Sequence, residues 1–503
     1  MTLAPVWRTR LYAAGGALLA LWIGFAVAQE ELFWPLLCLA AVSGLLLIRI
    51  QPLPIGTVLL GGALLGYVVG NRGFAQLYAA PSLPLLPAEL VLLVGGTVLL
   101  VQSAFRQQLP FRRDALNFIL LAWILICGAR VFFDLRTYGF NAARDFATVY
   151  YAAFFFLAQS AAQDAASRRF LAGCLLLGCG ILPVTNFLSQ QFPMFFLTGL
   201  VLRGTPLIYY KGDLVGAFLA IGAVLFFLRF ESRRQPWALV ISLLLALGTV
   251  ATNNRASLVG LALAAVVLTL SGRWRFAALL AGGGMFAAVV IACFAFFTNL
   301  PWEQTPLNGL YEQVVSIADP LGQRTYQGEN TLSKGDNNVF RTVWWRAVID
   351  ETVEDNPWFG LGFGHDLADR FLQEYLPEAG DDFSTRSPHN ILLTLFGRTG
   401  LAGGLPFVLA MLLVGWRTLR CAWSTSSDSA EIGLWCSACI ILVSACFGVV
   451  LEGPMGAVVF WSLLGMANAS FLERQTESAP DRASAGAADL QPAEPAGEIA
   501  ASS

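Results

Sequence analysis

Long apolar runs separated by short polar connections make up most of this sequence. A helix needs about 20 apolar residues to cross the hydrocarbon core of a bilayer, and about fourteen runs approach or reach that length. These runs are 11–28, 32–48, 55–70, 88–105, 115–133, 147–162, 170–188, 214–229, 237–252, 256–271, 276–298, 390–416, 432–451 and 455–471. The pattern predicts an all-α fold, a polytopic transmembrane helical bundle of about 12 to 14 spans.

The same pattern divides the chain into four parts. We predict transmembrane helices 1 to 11 in residues 1–298 and transmembrane helices 12 to 14 in residues 390–474. Between them, 299–389 is a polar loop long enough to carry short helices outside the membrane. The stretch 475–503 is rich in Ala, Ser, Glu and Pro, and its low apolar content predicts a disordered tail.

Arginine placement predicts the orientation of the bundle. Arginines cluster in alternate connections, at 8–10, 49, 106–113, 168–169, 229–234, 273–275 and 417–420. Positively charged short loops face the cytoplasm, so both termini are expected there. The loops 189–213, 253–255 and 299–389 then face outward.

Composition and charge narrow the function classes. Charged residues make up 13% of the chain, whereas a soluble domain carries about a quarter, so a soluble enzyme is excluded. The net charge of −2 gives no basic stripe for nucleic acid. The apolar centres of the spans contain essentially no Asp, Glu, Lys or His, which disfavours an ion-coupled transporter.

Three arginines and one histidine stand out on the predicted outer face: Arg203, Arg255, Arg341 and His389. Interfacial arginine can simply reach toward lipid headgroups, but arginine is expected to be scarce on this side. Guanidinium groups bind phosphate with two parallel hydrogen bonds, so Arg203 and Arg255 are predicted to bind a phosphate. For Arg341 the two interpretations are equally good. His389 is either an interfacial helix cap or a group that takes a proton from a hydroxyl.

Three motifs resemble the O-antigen ligase and O-antigen polymerase superfamily of bacterial envelope glycosyltransferases. In the first, Arg203-Gly204 precedes a helix start at Asp213, although Lys211-Gly212-Asp213 departs from the family's Asn-containing pattern. In the second, Asn254-Arg255-Ala256-Ser257 opens a hydrophobic helix, with Asn254 in place of the usual Ser. The third runs from Arg341 and Trp345 through 356–364 to Pro388-His389-Asn390, and it resembles the family's outer loop and exit helix.

The resemblance implies a transferase with a defined donor. Its members move a glycan from undecaprenyl diphosphate to an acceptor at the outer, periplasmic side of the bacterial inner membrane. Carried over, Arg203, Arg255 and Arg341 would bind the diphosphate, and His389, with Arg255, would be catalytic. No metal and no cofactor are expected, and membrane lipids surround the protein. The acceptor is lipid A core for a ligase or the growing polysaccharide for a polymerase, and the motifs do not separate the two.

Two alternatives from other classes stay open. One is a polytopic transporter of bicarbonate or of a lipid-linked sugar. The other is a metal-dependent polyprenyl-phosphate sugar transferase using Glu30-Glu31 in the first outer loop. The glycine-rich stretch 360–364 either approaches the lipid carrier closely or only forms a turn.

Overall fold

The computed structural model describes residues 53–78, 85–319, 321–323, 329–375, 385–424 and 428–488. Its helices are α1 Ile55–Val69, α2 Arg72–Ala75, α3 Pro87–Phe105, α4 Ala115–Tyr138, α5 Phe140–Asp145, α6 Ala147–Tyr150, α7 Ala153–Ala161, α8 Ala165–Gln191, α9 Gly212–Arg233, α10 Pro236–Ala251, α11 Arg255–Leu270, α12 Arg275–Thr298, α13 Pro306–Ile317, α14 Glu329–Asp355, α15 Asp369–Tyr375, α16 Ile391–Trp423, α17 Ser429–Ala445 and α18 Pro454–Ala488. Within these ranges, the strands are β1 Val201–Leu202 and β2 Thr205–Pro206, which form one antiparallel hairpin.

The described part of the chain is an all-α, polytopic membrane protein. Seven of its helices are long and apolar enough to cross a membrane: α3, α4, α8, α9, α12, α16 and the first part of α18. Four shorter apolar helices, α1, α10, α11 and α17, complete the bundle. The predicted runs 11–28 and 32–48, and Glu30-Glu31, lie outside the described residues.

The bundle is arranged around α9 and α18. About four fifths of each of these spans is buried inside the protein. Helix α9 packs against α10, α11 and α17, and α18 packs against α7 and α17. At the other extreme, α12 buries none of its most apolar window and exposes Met285, Phe286 and Phe297. An apolar helix with an exposed apolar surface is what lipid contact requires.

Helices α13, α14 and α15 lie in the segment 299–389 that the sequence predicts outside the membrane, and we name them the extramembrane unit. Its small core contains Trp344, Val348, Leu367 and Phe371, and the Trp344 and Phe371 rings stack at 5.5 Å between centroids. The loop prediction anticipated short helices, but α14 has 27 residues. The unit packs on α16.

Three regions differ from the predicted pattern of runs. The run 147–162 forms two short helices, α6 and α7. Helix α16 is broken at Gly400, whose φ of 59° and ψ of −154° are not helical. Helix α18 continues to Ala488, so its backbone covers the first part of the predicted disordered tail. Ala, Glu, Arg and Gln, which favour helix, follow the last apolar residues there.

Candidate functional site

A cavity of about 370 Å³ lies where α9 and α11 begin, under the extramembrane unit. Charged and polar side chains from the starts of α9 and α11 and from α14 line it, and we name it the arginine cavity. These side chains include Asp213, Asn254, Arg255, Asn338, Arg341 and Trp345. The loops predicted to face outward thus meet at one end of the bundle.

Arg255 is fixed by the turn that precedes it. Asn254 caps α11, and its side-chain oxygen accepts a hydrogen bond from the Ser257 N–H at 3.0 Å. Asn253 has a φ of 55°, a left-handed conformation that asparagine tolerates better than most residues. This turn places the Arg255 guanidinium at the first residue of a helix, beside the backbone N–H groups that attract anions.

The extramembrane unit holds the Arg255 guanidinium from above. Arg255 Nη1 donates to Asn338 Oδ1 at 2.7 Å. Asn338 is buried, and its Nδ2 donates to the carbonyls of Ser316 at 3.2 Å and Asp319 at 2.8 Å. The orientation of Arg255 therefore depends on a residue 83 positions later in the chain.

The same unit also grips the turn itself. Gln313 Nε2 on α13 donates to Asn253 Oδ1 at 2.7 Å. Gln313 is fully buried, so the contact is shielded from water. Helices α13 and α14 therefore each contribute an amide that holds the start of α11.

Arg341 lines the cavity from α14. It lies three residues after Asn338, so both side chains occupy one face of the helix. Burial lowers the pKa of the Arg341 guanidinium, and the nearby Asp213 carboxylate acts in the opposite direction. An arginine pKa is so far above neutrality that the group stays charged.

A lysine and an aspartate at the start of α9 join this group. The Lys211 N–H donates to Asn71 Oδ1 at 3.0 Å, and Lys211 Nζ donates to the Val449 carbonyl. Burial lowers the pKa of the Lys211 amine, while the Asp213 and Glu452 carboxylates raise it. Asp213 also accepts a hydrogen bond from Asn254 Nδ2, at 3.4 Å.

His389 sits close to these charges. Its ring lies edge-on to Trp344, with 5.9 Å between centroids, and the Pro388 carbonyl accepts a hydrogen bond from Trp345 Nε1 at 2.6 Å. Burial lowers the pKa of His389 to about 4, helped by the positive charges of Arg341 and Lys211. His389 is therefore neutral at pH 7 and can accept a proton.

The helix-cap interpretation of His389 is corrected by its neighbour. Asn390 is the N-cap of α16, because its Oδ1 accepts hydrogen bonds from the Leu392 N–H at 3.0 Å and the Leu393 N–H at 3.4 Å. His389 has a φ of 56°, outside the helix. Asn390 is therefore the cap, while the His389 imidazole keeps a hydrogen bond to the Ser387 backbone.

Glu452 connects the loop that carries His389 to the helical bundle. It is in the turn between α17 and α18 and accepts hydrogen bonds from the hydroxyls of Ser387 and of Thr394, the latter at 3.0 Å. The loop that carries His389 is thus attached on one side to α14 and on the other to this turn.

Arg203 lies apart from the lining of the arginine cavity. It is exposed, at the tip of the β1–β2 hairpin, with a φ of 51°. The structure therefore brings Arg255 and Arg341 into one cavity, with His389 outside the lining but close to Arg341, and it leaves Arg203 on a surface loop.

The glycine-rich stretch 360–364 packs against α4 and α5 of the bundle. The Phe363 N–H donates to Asp134 Oδ2 at 2.8 Å, and the Gly364 N–H donates to Asp145 Oδ2 at 3.2 Å. A Cβ on Gly362 would lie 2.8 Å from Asp134 Oδ1, and one on Gly364 would lie 2.3 Å from Tyr138 Cβ. These glycines are needed for close packing on α4 and α5.

The model of a protein family described as O-antigen ligase matches residues 240–408. Over these residues the chain is similar to the O-antigen ligase family. No curated protein matches the chain. The resemblance predicted from the motifs is confirmed, and the family is one of membrane glycosyltransferases.

The O-antigen ligase segment contains the centre of the candidate site. Arg255, Asn338, Arg341 and His389 all lie within it, whereas Arg203 precedes it. The match therefore covers these four residues, while Asp213 of the cavity lining precedes it.

Sequence reasoning missed three polar groups near the site. Lys211 carried a signal, since it is one of two lysines in the chain and lies in an outer loop. Glu452 carried another, as a carboxylate in a short turn between two apolar runs. No feature of the sequence points to Asn338, because its contact with Arg255 depends on tertiary structure.

Proposed function

We propose that the protein is an inverting, metal-independent glycosyltransferase of the O-antigen ligase or polysaccharide polymerase type. It would move a glycan from undecaprenyl diphosphate to a saccharide acceptor, either lipid A core or growing polysaccharide. We place it in the bacterial inner membrane with its active site facing the periplasm. The observation that carries the proposal is the arginine cavity, in which Arg255 and Arg341 face one space at the mouth of a membrane bundle.

A diphosphate matches this space chemically. It carries several negative oxygens, and guanidinium groups bind such oxygens in pairs. The N-termini of α9 and α11 both reach the cavity, and helix N-termini favour anions. The lipid tail of the donor would remain in the membrane beside the bundle.

Charge neutralisation would be the main catalytic effect. The acceptor oxygen attacks the anomeric carbon, the bond from that carbon to the diphosphate oxygen breaks, and its electron pair stays with the diphosphate. Arg255 and Arg341 would stabilise this developing charge. A single displacement inverts the anomeric centre.

The guanidinium groups of Arg255 and Arg341 would allow a mechanism without a metal. Fixed guanidinium groups supply the positive charge that a divalent cation supplies elsewhere. We therefore expect transfer to continue in the presence of a chelator.

His389 would accept the proton that the acceptor hydroxyl loses as its oxygen attacks, or would orient that hydroxyl. Its imidazole is neutral because its pKa is about 4. Binding of the negative diphosphate would raise that pKa, since an opposite charge favours the protonated form. The histidine would thus become a stronger base only when the donor is in place.

Reconstitution in proteoliposomes tests this function. The probes are undecaprenyl diphosphate-linked glycan as donor and the acceptor glycolipid isolated from a deletion strain. We expect transfer by the wild-type protein, unchanged transfer in EDTA, and none by Arg255→Ala at equal abundance. Retained transfer by Arg255→Ala, or transfer that EDTA stops and manganese restores, would refute the arginine mechanism. Movement of the lipid-linked sugar across the vesicle without transfer would indicate the transporter alternative.

The glycans of a deletion strain separate ligase from polymerase. Loss of a ligase leaves full-length chains on the lipid carrier, whereas loss of a polymerase leaves single repeat units on the surface. Both results fit the reaction chemistry above, and they identify the acceptor.

A further inference from the structure

A second cavity, of about 420 Å³, adjoins the arginine cavity. Gly212 and Thr252 line both cavities, so the two spaces meet at the start of α9 and the end of α10. Its other walls come from the end of α8, from Pro193, Phe196 and Leu197 before the β1–β2 hairpin, and from the segment that follows the hairpin. We name this space the amide cavity, after its residues Asn186, Ser189, Gln190, Tyr209 and Tyr210.

The amide cavity differs from its neighbour in charge. None of the described residues that line it is charged, whereas Asp213, Arg255 and Arg341 line the arginine cavity. The polar groups here are neutral amides and hydroxyls, together with the aromatic rings of Phe196, Tyr209 and Tyr210. The same mouth of the bundle thus contains one space suited to an anion and one suited to a neutral polar ligand.

The polar residues of the amide cavity form one face of α8. Asn186, Ser189 and Gln190 are three and four residues apart, and such positions are neighbours on a helix surface. Ser189 Oγ donates to the Asn186 carbonyl at 2.8 Å, so its hydroxyl oxygen is oriented by the helix. Amide groups offer both donors and acceptors.

The two tyrosines are held in place by other contacts. Tyr210 OH donates to Thr185 Oγ1 at 2.5 Å. The Tyr209 ring is about two fifths exposed, and the Arg72 guanidinium lies 5.4 Å from its centroid. Rings held in this way offer a rigid apolar surface beside hydrogen-bonding groups.

We propose that the amide cavity binds a saccharide unit of one substrate, directly beside the diphosphate. A sugar ring combines hydroxyls that both donate and accept with apolar C–H faces, and it has no charge. Amides, hydroxyls and aromatic rings match these features. The inference depends on the proposed function, since the transferred sugar is bonded to the diphosphate and the acceptor sugar must reach its anomeric carbon.

Substitution of the lining residues tests the inference. Gln190→Ala removes an amide from the cavity, and Tyr209→Ala removes a ring. Gln191→Ala is the matched control, because Gln191 is the exposed last residue of α8 and is outside the lining. Each variant is assayed in proteoliposomes with undecaprenyl diphosphate-linked glycan and the isolated acceptor glycolipid, and undecaprenyl diphosphate without sugar is the inhibitor.

We expect Gln190→Ala and Tyr209→Ala each to raise one KM by about three- to tenfold, the loss expected for one hydrogen bond or ring contact. A rise in the donor KM assigns the cavity to the transferred sugar, and a rise in the acceptor KM assigns it to the acceptor. The inhibition constant of bare undecaprenyl diphosphate should stay at the wild-type value.

Two results would overturn the inference. In one, both variants behave like Gln191→Ala. In the other, the inhibition constant of bare undecaprenyl diphosphate rises with the KM, which would mean that the cavity holds the isoprenoid chain. Arg255→Ala in the same assay keeps the two proposals distinct, because its retained activity would refute the transferase mechanism itself.

Discussion

Two arginine sites lie near opposite ends of the bundle, and they differ in what surrounds the guanidinium. Arg417, near the end of α16, pairs with Asp114 at 2.5 Å between Nη2 and Oδ1, and both side chains are less than a tenth exposed. Arg417 also donates to Asn468, and its guanidinium lies 4.9 Å from the centre of the Phe471 ring. Arg255 bonds a neutral amide, Asn338, and lines a cavity of about 370 Å³.

The difference distinguishes an arginine enclosed by protein groups from one that lines a cavity, where we propose that it binds a ligand. At Arg417 a carboxylate and an aromatic ring enclose the charge within the protein. At Arg255 the contact with the Asn338 amide orients the side chain beside a cavity. Sequence shows an arginine at a helix end in both cases, and only the surroundings distinguish them.

The largest expected effect is at Arg255. In Arg255→Lys we expect kcat to fall by about 100-fold or more, because an ammonium cannot donate two parallel bonds to phosphate oxygens. Membrane abundance should be unchanged. Arg233→Lys, on an exposed arginine at the other end of α9, is the control for a general effect of the substitution. Near-normal kcat in Arg255→Lys would show that a point charge is sufficient.

The next effect is on stability and is expected at Arg417. Arg417→Ala leaves Asp114 buried without its ion pair and should destabilise the protein by about 3–5 kcal/mol. Denaturant unfolding in detergent measures this loss. Adding Asp114→Asn should recover part of it, because the unpaired charge is then removed. An unaltered midpoint in Arg417→Ala would contradict the structural role.

Asn338 connects the extramembrane unit to Arg255 at the start of α11. We expect its substitution to have an intermediate effect on activity. Asn338→Ala should lower kcat/KM by about tenfold, because Arg255 loses the contact that orients it. Asn338→Asp should weaken inhibition by bare undecaprenyl diphosphate, since a carboxylate then competes for the guanidinium. Tighter inhibition in Asn338→Asp would rule out this role.

The pH dependence of kcat/KM tests the role of His389. If the neutral imidazole is required, the acid limb of kcat/KM should lie near pH 4, since kcat/KM reports the free enzyme and the pKa of His389 there is about 4. Activity should rise as the pH rises through that value and then stay level toward neutrality. His389→Gln should abolish this limb along with most of the activity. A limb near the ordinary histidine value of about 6.5 would contradict the assignment.

The smallest effect is expected at Arg203. Because this side chain is exposed and outside the cavity lining, Arg203→Ala should change kcat/KM by less than about threefold. A loss comparable to that of Arg255→Ala would mean that the hairpin closes over the donor.

Apolar runs with polar borders could be recognised from the sequence alone. The predicted run 256–271 corresponds to α11, Arg255–Leu270, because Asn253-Asn254-Arg255 separates two apolar stretches. The run 147–162 was not interrupted in sequence, yet it forms two helices. There, the hydroxyls of Tyr150 and Tyr151 both reach Glu89 Oε1 at 2.7 Å, a contact with a distant helix.

The candidate site was predictable only in part. Arg255, Arg341 and His389 were recognisable by residue type, predicted side of the membrane and resemblance to a family. Their partners were not, because Asn338 meets Arg255 and Glu452 meets Ser387 across long sequence distances. The glycine-rich stretch shows the converse, since its conspicuous motif is used for packing against Asp134 and Asp145.

The break in α16 limits how this protein could be re-engineered. The carbonyls of Gly397 and Arg398 accept hydrogen bonds from the N–H groups of 361 and 362, and the N–H groups of 401 and 402 donate to the carbonyls of Pro357 and Trp358, all at 2.7 to 3.1 Å. A chimera that exchanged only 299–389 with a related enzyme would have to reproduce all four bonds, or leave peptide groups unsatisfied inside the bundle. Grafts that aim to transplant sugar specificity should therefore place their downstream junction beyond residue 402.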